Sequence, residues 1–140
     1  MIHVVNGPNL NLLGTREPEI YGTATLKELK RQLEDIAFCN SEEISFLQSN
    51  HEGEIIDYLQ TCKPDDFVII NPGGLGHTSV CLRDCVHGIA AEAVEVHISN
   101  IYARESFRQR SLLSPVCSGT ISGFGIDCYK MALNWYLERE

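Results

Sequence analysis

The chain has 140 residues, 44% apolar and 21% charged, which fits one soluble globular domain with a real buried core. Its formal net charge of −8 supplies no basic footprint and argues against nucleic acid or an anionic membrane surface as partner. No apolar run approaches the roughly 18 residues of a membrane span and no leader pattern precedes the first strand, so a cytoplasmic protein is expected.

The run IHVVN at 2–6 predicts the first strand. The segment that follows, NGPNLNLLGTREPEIYG at 6–22, is about twice as long as an ordinary connection, and long ordered loops are usually lids or binding loops. It carries Asn9, Arg16 and Tyr21. A helix then starts near Thr25, with Leu26, Leu29, Leu33, Ile36 and Ala37 on one face and a Thr25–Glu28 capping box. A second strand is expected at 43–48, a helix over about 52–62 that stops before Pro64, and a third strand at 67–72. The Gly-rich NPGGLGHTS at 71–79 leads into a helix over about 78–90. The fourth strand spans 93–98 and the fifth 119–123, and a last helix from Ile126 carries Tyr129, Leu133, Tyr136 and Leu137 at helical spacing.

Five strands separated by helices imply an α/β, doubly wound parallel sheet, one domain over 1–140. Strand runs such as FVII are apolar throughout, as expected when helices cover both faces. Ligands of such folds bind beyond the carboxyl ends of the strands, near the switch in strand order. In the order 2-1-3-4-5 that switch lies between strands one and three, and the polar segments after strands one, three and four converge there.

The chemistry offered at that edge is specific in its company more than in any one residue. The glycine-rich turn could cradle a phosphate, but it is neither a P-loop nor Gly-x-Gly-x-x-Gly, and taken alone it is a strand-to-helix turn in which His77 caps the helix or faces solvent. A lone strand histidine such as His97 is more often structural than catalytic. Two histidines, Tyr21, Arg16 and the cluster Arg104, Arg108 and Arg110 at one edge favour acid–base chemistry on an anion. A phenol serves as a base only where neighbouring cations hold its phenolate, and otherwise the Tyr21 ring simply packs the loop down. The four lysines (27, 30, 63, 130) fall on predicted helices or their ends, which leaves a Schiff-base route without a nucleophile. No Cys-x-x-Cys, His-x-x-x-His or carboxylate cluster points to a metal; the six cysteines read as reduced thiols, and Cys81 and Cys85, with His87 nearby, as small buried helix residues.

Four strings in order, NGPNLNLLG-x-REP-x-IYG, INPG-x-x-x-HTSV-x-LRD, EVHISN and ARE-x-FR-x-x-S-x-LSP, with the tail G-x-G-x-x-x-Y, resemble the type II 3-dehydroquinate dehydratases of the shikimate pathway over nearly the whole chain. The resemblance implies a flavodoxin-like sheet and a cofactor-free, metal-free trans dehydration of 3-dehydroquinate to 3-dehydroshikimate through an enolate. It implies Tyr21 as the base, ionised and held near Arg16 and Arg104, and Asn9 positioning a water that stabilises the enolate. His97 would protonate the leaving hydroxyl. Asn71, Ser99 and the backbone amides of Ile98 and Ser99 would take the substrate carboxylate, and His77 and Arg108 the ring hydroxyls. Asp84 would reach the site of a neighbouring subunit, in trimers packed as a dodecamer.

Two departures stand out. Gly74-Leu75-Gly76 replaces a common Ala-Tyr-Thr, which could loosen the loop carrying His77, and cysteines replace alanines at 81 and 85. The competing class is a flavodoxin-like module that binds a small anionic ligand without turnover. A receiver of that class would want an acidic cluster after the first strand, where Asn6 and Asn9 stand, and a flavin carrier would want flanking aromatics and a Ser/Thr-rich phosphate loop.

Overall fold

The five strands lie in one parallel sheet of order β2-β1-β3-β4-β5: β1 (Ile2–Asn6), β2 (Ile44–Gln48), β3 (Phe67–Asn71), β4 (Glu92–His97) and β5 (Gly119–Ser122). The structure, a computed structural model, describes residues 1–139. β1 and β3 are buried along their whole length, which explains why they read as unbroken apolar runs. Alternate side chains still go to opposite faces. Ile2, Val4, Phe67, Ile69, Val94 and Val96 meet α2 (Leu26–Cys39) and α6 (Asp127–Leu137), through Leu29, Leu33, Tyr129 and Leu133. Val5, Val68, Ile70 and Ala93 meet α3 (Glu52–Leu59) and α5 (Val80–Gly88), through Ile55, Leu59, Leu82 and Val86. Burying each large aliphatic side chain contributes about 1.5–3 kcal/mol, so these two layers hold the sheet between its helices.

The capping box that opens α2 forms as the sequence implies: Glu28 N–H donates to Thr25 Oγ1 at 3.2 Å and Thr25 N–H to Glu28 Oε2 at 3.3 Å. The helix expected over about 78–90 is α5, and a one-turn helix α4 (Leu75–Thr78) that the sequence did not announce precedes it in the glycine-rich segment. Ser79 separates the two: its backbone is extended, with ψ at 101°, and its hydroxyl accepts from Leu82 N–H at 2.8 Å as the N-cap of α5. The long loop after β1 is also more ordered than its composition suggests, with a 3₁₀ turn at Leu10–Leu12 and a one-turn helix α1 (Pro18–Tyr21).

The register sets the working edge. Asn6 is level with Gln48 on one side and Asn71 on the other, and His97 is level with Ser122, so the carboxyl ends of the strands present polar side chains side by side. The loops after β1 and β3 touch there: a Cβ on Gly7 would sit 2.4 Å from the Pro72 carbonyl oxygen, so only glycine fits. The Gly-x-Gly tail braces the same edge. Gly123 N–H donates to the His97 carbonyl at 3.2 Å and Gly125 N–H to that of Ile98 at 3.0 Å, both glycines at positive φ. No described helix is long and apolar enough to cross a membrane.

Candidate active site

A cleft of about 130 Å³ opens at this edge, lined by Asn9, Arg16, Tyr21, Asn71, His77, His97, Ile98, Ser99, Arg104 and Arg108, whereas Asp84 and the third arginine of the cluster, Arg110, do not line it. The order of the sheet is the cause, since the loops after β1, β3 and β4 are neighbours only in this topology.

Tyr21 ends α1 and leans, half-buried, on the core. The Arg16 guanidinium carbon lies 5.2 Å from the centre of its ring and that of Arg104 lies 5.1 Å away. Two cations therefore lie against the ring of one phenol, a cation–π arrangement that brings both guanidiniums to the same side chain. Arg104 is tied down by donating to Ser99 Oγ at 3.2 Å, with its side chain only 13% exposed. The loop is held under some strain: Glu17, between Arg16 and Pro18, has φ at +40°, a region few non-glycine residues adopt.

His97 projects from the buried end of β4, and its Nε2 donates to Glu95 Oε1 at 2.7 Å. Glu95 is fully buried, and the same oxygen accepts from Ser111 Oγ at 2.6 Å. The carboxylate fixes the ring and leaves Nδ1 as the nitrogen without a protein partner among the described residues. Glu95, which the sequence reading did not single out, supports His97 from behind, and the signal was present: two positions before His97 on a strand, it shares that face. His77 stacks on His97 with ring centres 5.8 Å apart and donates from Nδ1 to the Arg110 carbonyl at 2.8 Å. Together with the bond from Leu112 N–H to the Gly76 carbonyl at 2.7 Å, this ties the Gly74-Leu75-Gly76 segment to the loop after β4.

Arg108 donates to Glu105 Oε2 at 2.8 Å and reaches the cleft from the same loop. The helix-forming and arginine-bearing segments thus concentrate three guanidiniums on one side of an acidic chain, enough to attract an anion. Asn9 sits in the left-handed region at φ 71°, and its N–H donates to Asn50 Oδ1 at 3.0 Å. Gln48 in turn donates to Asn50 Oδ1 and to the Gly7 carbonyl, both at 3.2 Å. The segment after β2, plain in the sequence, is what holds Asn9 in place. On Asn71, Oδ1 accepts from Gly73 N–H at 3.1 Å while Nδ2 donates to the buried Tyr129 hydroxyl at 2.9 Å.

Asp84 lies elsewhere. It is exposed on α5, ion-paired to Arg83 at 2.9 Å, and borders an open groove with Cys62, Cys81 and Cys85. Cys81 is exposed and Cys85 half-buried, so they are not the buried helix residues expected. They face this groove because α5 covers the sheet with Leu82 and Val86 instead. Among the described residues, potential metal ligands come together at His3, Cys62 and Asp66, with ligand atoms within 4.8 Å, at the opposite edge of the sheet. Burial, and then the Asp66 charge, push the Cys62 thiol up to about 11, so it stays protonated.

These features match known proteins throughout their length. The sequence model for dehydroquinase class II matches residues 1–137. The 3-dehydroquinate dehydratase of Polynucleobacter asymbioticus is 51% identical over 140 residues, covering 99% of this chain and 94% of its own length. That of Campylobacter jejuni is 50% identical over 133 residues, covering 94% of this chain and 84% of its own. The crystal structure of the type II dehydroquinase from Butyrivibrio crossotus superposes with a TM-score of 0.93 at 41% identity, covering 98% of this chain and 96% of that one. With fold, cleft and sequence in agreement from end to end, the chain belongs to the class II dehydroquinase family.

Proposed function

We propose that this class II dehydroquinase converts 3-dehydroquinate to 3-dehydroshikimate and water with Tyr21 as the base and His97 as the acid. The observation that carries the assignment is that a phenol flanked by two guanidiniums shares one cleft with a histidine backed by a buried carboxylate.

The Tyr21 phenolate takes the proton alpha to the substrate ketone, and the electron pair moves onto the carbonyl oxygen as an enolate. That enolate is the unstable species, and a water held by Asn9 donates to it. Collapse of the enolate expels the hydroxyl, which leaves as water with the proton that His97 delivers from Nδ1. The Glu95 carboxylate, on the far side of the ring, is placed to stabilise the imidazolium. Tyr21 then returns its proton through solvent and His97 regains one, so no oxidant, reductant or cofactor enters the balance.

The substrate carboxylate goes to Asn71, Ser99 and the backbone amides of Ile98 and Ser99, and the ring hydroxyls to His77 and Arg108. Closure of the 6–22 loop over the substrate excludes water and strengthens these contacts. Residues 1–140 act as one catalytic domain in the cytoplasm, in a homo-oligomer of twelve subunits built from trimers. The exposed Asp84, outside the cleft of its own chain, is available to a neighbouring subunit's site.

The product carries a conjugated enone, so ultraviolet absorbance after mixing with 3-dehydroquinate reads turnover directly. Absorbance should rise at the same rate with borohydride present, because no imine forms. A folded protein that produces no enone, or one that borohydride inactivates only in the presence of substrate, contradicts the assignment. Binding of 3-dehydroquinate without turnover would favour the anion-binding module instead.

A further inference from the structure

The Tyr of the G-x-G-x-x-x-Y tail has no part in the chemistry above, yet it lies behind the cleft and bonds to Asn71, which lines it. Tyr129 comes from α6, is fully buried, and places its hydroxyl between the ends of β1 and β3. The phenol has one proton, and it goes to Asn6 Oδ1 at 2.5 Å. The oxygen is therefore left to accept, and it accepts from Asn71 Nδ2 at 2.9 Å. Burial pushes this phenol above its ordinary range, which favours the protonated hydroxyl that makes these two bonds.

The consequence falls on Asn71. Its Oδ1 accepts from Gly73 N–H and one Nδ2 hydrogen goes to Tyr129, so the amide has one orientation, and its second N–H is the donor left to offer in the cleft it lines. Asn71 thus keeps a free donor for what binds there, while its carbonyl is held on Gly73 N–H. An anion needs that polarity, since the reversed amide would aim an oxygen at it.

We infer that Tyr129 is a positioning residue for substrate binding: its hydroxyl, anchored on Asn6, locks the Asn71 carboxamide with an N–H facing the substrate carboxylate. This rests on the reading of Asn71 as a carboxylate-binding residue. Tyr129 touches no substrate and acts only through Asn71, which separates it from the residues that line the cleft.

The test is steady-state kinetics on Tyr129→Phe, Asn71→Ala and the double variant, with 3-dehydroquinate as substrate. Loss of one hydrogen bond to a charged partner corresponds to about a tenfold effect or more, so KM in Tyr129→Phe should rise about tenfold. Its kcat should stay within about twofold, because binding and not proton transfer is affected. The double variant should resemble Asn71→Ala, since the hydroxyl has nothing left to orient. A raised KM in Asn71→Ala beside an unchanged KM in Tyr129→Phe, or effects that multiply in the double variant, overturns the positioning role alone. An unchanged KM in Asn71→Ala overturns the carboxylate role of Asn71 first, and this inference with it. Where Tyr129→Phe does not fold, Asn6→Leu frees the phenol proton from its anchor and should raise KM at least about threefold; an unchanged KM there also overturns the positioning role.

Discussion

Two buried histidine–carboxylate pairs sit at opposite ends of the same sheet. At the carboxyl edge, His97 donates to Glu95 at 2.7 Å; at the amino edge, His3 Nε2 lies 3.0 Å from Asp66 Oδ2. The histidines are nearly equally buried, at 5% and 6% exposure. What differs is the other ring nitrogen. His3 Nδ1 is taken up by Tyr58 Oη at 2.8 Å and Ser45 Oγ at 3.0 Å. Asp66 is equally occupied, by Lys63 N–H at 2.7 Å and the Met1 ammonium at 3.2 Å. At His97 the second nitrogen has no described protein partner, and the ring lines a cleft with three guanidiniums and a phenol. A buried histidine–acid pair is therefore no sign of catalysis by itself. The sign is an unoccupied ring nitrogen facing a space that an anion can enter.

The comparison breaks most sharply at the carboxyl edge. Replacing Glu95 by Gln keeps the shape but removes the charge behind the ring; kcat should fall about 10- to 100-fold, read from enone absorbance, with a smaller change in KM. A kcat within twofold of the unmodified enzyme would reduce Glu95 to a packing residue. The amino edge should respond in stability instead. Tyr58→Phe removes one partner of His3 and of Ser45, and chemical denaturation should show a loss of about 1–2 kcal/mol with turnover unaltered.

Acid sharpens the same contrast. Burial pushes the Asp66 carboxyl up, but Lys63 N–H, His3 and the Met1 ammonium outweigh it and bring it from 3.8 down to about 2. A carboxyl held below its unfolded value adds stability above that value and loses it as pH falls through the folded one. Stability should thus decline by on the order of 1–2 kcal/mol between about pH 4 and pH 2, and Asp66→Asn should flatten that stretch of the curve. An unchanged slope in Asp66→Asn would assign the acid sensitivity to other groups.

Much of this was legible in the sequence, and for identifiable reasons. Short apolar runs and period-3.6 patterns located every strand and the four long helices, and the strand order fits the α/β alternation, the ligand-edge rule and the family resemblance. Loop residues such as Asn9, Arg16 and Arg108 were found because several unusual side chains followed neighbouring strands. Three features were not found. The one-turn helix α4 is too short and too glycine-rich to show an apolar period, and it ends at Ser79, which caps α5. The support of Asn9 by Gln48 and Asn50 is a contact across 41 residues of sequence, which no local pattern encodes. Glu95 was overlooked because a carboxylate inside an apolar strand looks like an interruption until its partners, His97 and Ser111, are in place.

The most direct test of the account replaces the base. Tyr21→Phe keeps the ring between Arg16 and Arg104 and removes only the oxygen, so kcat for 3-dehydroquinate, measured by enone absorbance at saturating substrate, should fall about 10³-fold or more while the fold and oligomeric state persist. A Tyr21→Phe protein that still turns over within tenfold of the unmodified enzyme would show that the proton leaves by another route, and the assignment of this cleft's chemistry would be wrong.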